Sequence, residues 1–176
     1  MGRAKQLLPL GNGTVLSTVV SRLLEGPLDR VVVVLGHEAE RIRLEARLPA
    51  DPRVETVVND EWAEGMASSL RCGVRSCSET EAIVVVLGDQ PGIDSKVVGQ
   101  LVNAFRGGAA LAVPVQGEQR GHPVLFGRSL FPSLLALSGD TGARDVVERH
   151  WGAAARIEAA PLRDLDTEED YRSFLT

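Results

Sequence analysis

Two periods of apolar residues alternate along the chain. Residues 82–87 (Ala-Ile-Val-Val-Val-Leu) are apolar on both alternating faces, the pattern of a strand buried on both sides, as in a parallel sheet. Residues 30–35 read as a second Val-rich strand closed by Gly36-His37, and residues 54–58 as a third ending at Asn59. Between them, residues 14–24 carry Val15, Leu16, Val19, Val20, Leu23 and Leu24 on a helical stripe that Gly26-Pro27 ends. The same reading predicts helices over 38–48, 65–76, 94–105, 129–137 and 141–150. It predicts strands over 109–115 and 122–126, about a glycine-rich turn at 117–121, and a last strand over 156–162. A closing helix is expected over 167–174, with Thr167 as N-cap and Asp170 completing a capping box. Strand–helix alternation with short joints predicts one α/β domain over residues 1–176, built on a doubly wound, mostly parallel, Rossmann-like sheet. Such a sheet usually begins with a strand. Here Met1-Gly2-Arg3-Ala4-Lys5-Gln6 is polar and leads into Leu7-Leu8-Pro9-Leu10, so either the sheet begins at 30–35 or a first strand is missing.

Composition narrows the classes. A chain of 176 residues with 44% hydrophobic and 24% charged residues buries a sizeable core without staples. A net charge of −5 argues against a nucleic-acid surface, although a few local donors still suffice to hold a phosphate. No apolar run approaches membrane-spanning length, and neither a membrane partner nor a secretory leader is expected, which makes the cytoplasm the expected compartment. Cys72 and Cys77 form a C-x4-C pair that fits no common zinc or redox spacing and read as reduced thiols in or near a helix.

Candidate chemistry falls at strand-to-helix joints, where a doubly wound sheet collects its site. Asp89 stands at the carboxyl end of strand 82–87, after the turn that Gly88 permits and before Pro91, and a carboxylate delivered there is placed to hold a metal. Arg3 and Lys5 beside Gly2 read as a phosphate clamp or as a solvated basic terminus. In 59–70, Gly65 allows close backbone approach, and the first-turn N–H groups with Ser68 and Ser69 read either as donors to a base or ribose or as a capped helix with Trp62 as a surface staple. Gly121-His122-Pro123 and Gly139-Asp140-Thr141-Gly142-Ala143-Arg144 suggest a second pocket, His122 and Arg144 facing an anionic substrate and Asp140 capping its helix inside a nest of donors; a purely structural His122 is the competing reading. Asp164 and Asp166 share a strand face, so either is placed to join Asp89 on a divalent cation, unless Asp166 only caps the closing helix.

Taken in order, Gly-Arg-Ala-Lys-Gln-Leu-Leu-Pro-Leu, Leu-Gly-His, Val-Val-Asn-x-x-Trp-Ala-Glu-Gly-Met-x-x-Ser-Leu, Leu-Gly-Asp-Gln-Pro, Arg-Gly-His-Pro-Val-Leu-Phe, Gly-Asp-x-Gly-Ala-Arg and Asp-x-Asp-Thr-x-Glu-Asp resemble the molybdenum cofactor cytidylyltransferases and their MobA-like relatives. The resemblance runs from Gly2 to about Tyr171, and the Leu-Gly-Asp-Gln-Pro form is closer to the cytidylyl than to the guanylyl branch. It implies a fold of the nucleotide-diphospho-sugar transferase type and transfer of CMP from CTP to the molybdopterin form of the cofactor, with release of pyrophosphate. It further implies Mg²⁺ held by Asp89 with Asp164 or Asp166, and Lys5 and Arg3 on the leaving pyrophosphate. Gly2, Lys5, Asn59, Gly65, Ser68, Ser69 and Asp89 would meet the nucleotide. Gln90, Pro91, Gly121, His122, Pro123, Asp140, Gly142 and Arg144 would meet the pterin substrate. A monomer is expected, with an apo molybdenum hydroxylase as a further partner.

In one respect the chain departs from that pattern. The resemblance calls for a buried strand and a Leu-Ala-Ala-Gly-x-Ser-x-Arg loop just before Met1-Gly2, which wraps the nucleotide's phosphates. A start codon placed too far downstream accounts for their absence, and a chain of these 176 residues alone is expected to be weakly stable and barely active. Alternatives kept open are a related transferase using GTP or another phosphorylated acceptor, and a non-catalytic module that binds or delivers the cofactor.

Overall fold

The chain enters through a 3-10 turn at Lys5–Leu7 and a hairpin of β1 (Pro9–Leu10) and β2 (Gly13–Thr14) that the apolar pattern does not announce. Helix α1 (Val15–Leu24) starts at Thr14 because of a reciprocal cap: Ser17 N–H donates to Thr14 Oγ1 at 3.2 Å and Thr14 N–H to Ser17 Oγ at 2.7 Å. There follow β3 (Val31–Leu35), α2 (Ala39–Glu45), β4 (Val54–Val58), α3 (Met66–Ser76) and β5 (Ala82–Val85). After these come α4 (Ser95–Arg106), β6 (Leu111–Gln116), β7 (Gln119–Arg120), β8 (Val124–Gly127), α5 (Phe131–Leu135), α6 (Arg144–His150) and β9 (Ala155–Glu158). The computed structural model describes residues 4–160, 162 and 170–172, the last three of them helical.

The α/β class holds, with mixed pairing. β3 runs parallel to β4, and β9 parallel to β6, while β8 is antiparallel to both β5 and β6. Two-residue alternation splits the side chains between two helical layers. Leu111, Val113, Val124 and Phe126 point to α3, α5 and α6, whereas Ala112 and Leu125 point to Leu101 of α4. On that same second face, Val15, Val19 and Val20 of α1 are at most 2% exposed, and burying each such side chain contributes about 1.5–3 kcal/mol.

Several expected spans shorten. The helix expected over 141–150 begins only at Arg144, and that expected over 129–137 becomes a 3-10 turn followed by α5. The last strand covers Ala155–Glu158 rather than 156–162. Gly2, Arg3, Asp164, Asp166 and Thr167 lie outside the described residues. Residues 82–87, expected to be buried on both sides, are half-buried throughout. The reason is a cavity of about 1770 Å³ that separates β3 from β5, which are not hydrogen-bonded to one another.

Candidate active site

Arg30, just before β3, donates from Nη1 to the Ser76 carbonyl at 3.0 Å at the end of α3, a few residues ahead of β5. β3 and β5 therefore start at one end of the molecule and finish at the other. At the finishing end, Asn59 N–H donates to the Leu35 carbonyl at 2.7 Å, tying the exits of β3 and β4 together. The cavity runs along both strands, and Gln6, Gly36, Trp62, Ser69, His122 and Arg144 are among its lining residues. A doubly wound sheet binds its ligands at this end.

One wall of the mouth is a hydrogen-bonded bracket. Asn59, 4% exposed, donates from Nδ2 to Ser68 Oγ at 2.8 Å and Ser69 Oγ at 3.1 Å, and accepts at Oδ1 from Glu61 N–H at 3.1 Å. Ser68 is buried and gives its only hydroxyl hydrogen to the Gly65 carbonyl at 2.8 Å, so it braces the loop; Ser69 is the member of the pair that lines the cavity. The start of α3 is occupied by the protein itself. Met66 N–H donates to Asp140 Oδ1 at 3.2 Å, Ala67 N–H to the Gly139 carbonyl at 3.1 Å and Ser68 N–H to the Gly65 carbonyl at 3.1 Å. Two expectations are thereby revised. The first-turn amides of α3 are not open donors for a base or ribose, and Asp140 caps α3 across 74 residues of sequence instead of capping the helix that follows it. Gly65 makes the arrangement feasible: at φ 105°, ψ −179°, its backbone lies so close to the Gly139 loop that a Cβ would stand 2.6 Å from the Gly139 carbonyl carbon.

The opposite wall carries the loop after β5. A Cβ on Gly88 would stand 3.3 Å from Leu16 Cδ1 and 4.0 Å from Gln6 Cγ, so this loop abuts the turn that holds Lys5. Asp89 is half-buried there, while Gln90 (3% exposed) and Pro91 are buried; these two shape the loop beneath Asp89 and do not present surface to a substrate. Gly121 and His122 reach the cavity from the β7–β8 connection, with Gly121 N–H donating to the Pro114 carbonyl at 2.9 Å, a cis His122–Pro123 peptide and Pro123 buried. Arg144, exposed at the start of α6, and Gly142 complete the rim. Among the described residues no group of three or more His, Cys, Asp and Glu side chains is gathered to hold a metal.

Sequence reasoning did not assign three features of the mouth. Trp62, placed at the surface as expected, packs its ring edge-on against His37 with centroids 4.8 Å apart, and a Cβ on Gly36 would meet it at 2.7 Å. Met66, 56% exposed, has its sulfur 3.2 Å from where a Gly142 Cβ would stand. Arg71 donates to the Leu137 carbonyl at 2.8 Å and to Glu64 Oε2 at 3.0 Å, joining α3 to both loops. The Trp-Ala-Glu-Gly-Met run was the available signal for the first two; Arg71 had none, because its partners are distant in sequence. Hydrogen bonding and attraction from Arg41 hold the Glu38 carboxyl below its ordinary range beside this rim, and burial pushes the Cys72 and Cys77 thiols up.

The chain is similar to several known proteins. Residues 1–155 match the MobA-like NTP transferase domain. Nicotine blue oxidoreductase of Paenarthrobacter nicotinovorans is 34% identical over 152 residues, which cover 82% of this chain and 73% of that protein. The molybdenum cofactor cytidylyltransferase of Escherichia coli (strain K12) is 24% identical over 172 residues, covering 97% and 86%. The crystal structure of Rv0371c from Mycobacterium tuberculosis H37Rv in complex with manganese superposes with a TM-score of 0.79 at 27% identity, covering 99% of this chain and 92% of that one. With the family match spanning most of its length, the chain belongs to the MobA-like NTP transferase domain family.

Proposed function

We propose that this nucleotidyltransferase-family chain moves CMP from CTP onto the molybdopterin form of the molybdenum cofactor and releases pyrophosphate. The observation that supports the reading is that Ser69, held by Asn59, lines one cavity with His122 and Arg144, and that Gln6 and Gly88, the chain neighbours of Lys5 and Asp89, meet at the same cavity. The E. coli relative, named for this activity, supports it.

In the reaction an oxygen of the acceptor's phosphate attacks the α-phosphorus of CTP. The bond from that phosphorus to the bridging oxygen breaks, and pyrophosphate leaves with the electron pair. Such transfers need positioning and charge stabilisation more than covalent help from the protein. Lys5, with Arg3, neutralises the leaving pyrophosphate; Ser69, held by Asn59, positions the cytidine. Gly121, His122, Gly142 and Arg144 face the acceptor. The oxygen chemistry of Asp89 fits Mg²⁺, which is commonly bound by one or two carboxylates together with substrate phosphates. Asp89, with Asp164 or Asp166, would hold the ion. When bound, the ion supplies charge stabilisation at the phosphates.

The test is pyrophosphate release from CTP and from GTP in the presence of Mg²⁺ and the molybdopterin cofactor. Release with CTP is expected, and preference for GTP overturns the cytidylyl assignment. The higher identity to nicotine blue oxidoreductase favours one second reading, an oxidoreductase activity on nicotine blue. Turnover of nicotine blue in place of pyrophosphate release would select it.

A further inference from the structure

Two large apolar side chains stand open at the rim of the candidate site. Among the described residues, the exposed large apolar side chains are Leu44, Val58, Trp62, Met66 and Leu135. Of these, Trp62 and Met66 alone line the cavity, together with Ser69 of the bracket and Arg144 of the facing loop. A tryptophan that merely stapled its turn to α3 would bury its ring, whereas Trp62 is 45% exposed. Its placement is fixed all the same. A Cβ on Gly36 would stand 2.7 Å from Trp62 Cβ and 3.3 Å from Cγ, so the base of the side chain rests on the exit of β3. His37 meets the ring with an interplanar angle of 72°. The turn beneath is braced: Glu64 N–H donates to the Glu61 carbonyl at 2.9 Å, and the Glu64 carboxylate accepts from Arg71 at 3.0 Å. Met66 is held from the other side by Asp140, and its sulfur stands 3.2 Å from where a Gly142 Cβ would be. A fixed, open indole and a polarizable thioether at one rim are groups that take the face of a flat ring.

We propose that Trp62 and Met66 form a stacking platform for the flat heterocycle of the acceptor, with Arg144 taking the acid group carried by the same molecule. The identity of that ring, a pterin, rests on the molybdopterin reading. Two observations choose the acceptor's ring over the base of the nucleotide. First, Met66 meets Gly142, and Arg144 follows two residues later at the start of α6, so one wall offers a thioether for a ring and a guanidinium for an anion. Second, Ser69 already has the polar role: it lies three residues beyond Met66 on α3, on the same helical face, with its hydroxyl anchored by Asn59. A nucleotide held at Ser69 therefore has the platform beside it, where the second reactant of a transfer must sit. The platform also sets specificity. A sugar phosphate of the same charge meets Arg144 but forgoes the stack, so planar aromatic acceptors are preferred.

The test is equilibrium dialysis of two probes, pterin-6-carboxylate and CTP with Mg²⁺, against the protein and its Trp62→Leu, Trp62→Phe and Met66→Ala variants, with thermal unfolding measured in parallel. Trp62→Leu is expected to weaken pterin binding at least about tenfold, the scale of losing one base-on-aromatic stack, while CTP binding stays unchanged. Trp62→Phe keeps a ring and is expected to restore most of the affinity. Met66→Ala, at an exposed position, is expected to fold normally and to weaken pterin binding about threefold, which decides the matter should Trp62→Leu fail to fold. Unchanged pterin affinity in Trp62→Leu and Met66→Ala overturns the proposal, as does equal weakening by Leu and Phe. So does loss of CTP binding with pterin binding intact, which would give the platform to the nucleotide base, and so does absence of pterin binding by the unaltered protein. Pyrophosphate release from CTP, measured separately, keeps the two claims apart. Release together with unchanged pterin affinities removes the platform and keeps the transfer; pterin binding that depends on Trp62, without release, keeps the platform and removes the transfer.

Discussion

Gly65 and Gly139 meet backbone to backbone: Ala67 N–H donates to the Gly139 carbonyl at 3.1 Å, and a Cβ on Gly65 would fall 2.6 Å from the Gly139 carbonyl carbon. This contact holds the start of α3 against the loop that carries Asp140, Gly142 and Arg144, so the two sides of the proposed site share one joint.

Gly65→Ala is expected to break that joint. The substitution meets backbone at under 3 Å and also imposes a side chain at φ 105°. A loss of about 2–4 kcal/mol is expected from overpacking together with backbone strain. Urea unfolding measures it, and a loss below about 0.5 kcal/mol, the scale of ordinary surface substitutions, would show that the loops yield freely.

Asn59→Asp separates the two functions of the bracket. The carboxylate keeps an acceptor for Glu61 N–H but has no hydrogen to give Ser68 and Ser69. A buried unpaired acceptor costs about 1–3 kcal/mol, and a new charge at this depth adds to it. Stability should fall by at least that amount, and KM for CTP should rise as Ser69 loses its anchor. Unchanged values of both would remove the bracket from the account.

The acid limb of stability has a named contributor. Arg53 donates to Asp51 from Nε at 3.1 Å and Nη2 at 2.9 Å, and from Nη1 to the Leu24 carbonyl at 3.2 Å, tying the end of α1 to the entry of β4. Those bonds lower the Asp51 pKa from its ordinary 3.8. A depressed carboxylate contributes stability that is fully present above the unfolded value and lost as pH falls through the folded one. Asp51→Asn should therefore be less stable than wild type at neutral pH, with the gap closing below about pH 4 as the wild-type carboxylate protonates. A gap that stays constant down to pH 2 contradicts this role.

How much was legible from the chain differs by element. The valines of 31–35 and 54–58 and the stripe of 14–24 announce themselves because burial on a fixed period leaves a local pattern. Asp140 looked like the cap of the next helix because capping signals are read locally, whereas its actual partner, Met66 N–H, is brought near only by the fold. The same reason hid Arg71 and the packing of Trp62 on His37. The burial of Gln90, Pro91 and Ser68 depends on packing around the loops, which a motif does not encode. That β3 and β5 stand apart across a cavity shows only in three dimensions, because strand pairing leaves no mark in either strand's own pattern.

Asp89 offers the most direct test of the central claim, and the measurement is Mg²⁺-dependent pyrophosphate release from CTP, with the molybdopterin cofactor present, by the full-length protein and its Asp89→Asn variant. The substitution keeps the shape of the side chain and removes the charge that would hold the ion. It is expected to leave thermal unfolding unchanged while lowering turnover by about 100-fold or more, the scale seen when one electrostatic stabiliser of a transition state is removed. Wild-type turnover by Asp89→Asn, or no CTP-dependent release by either protein, contradicts it.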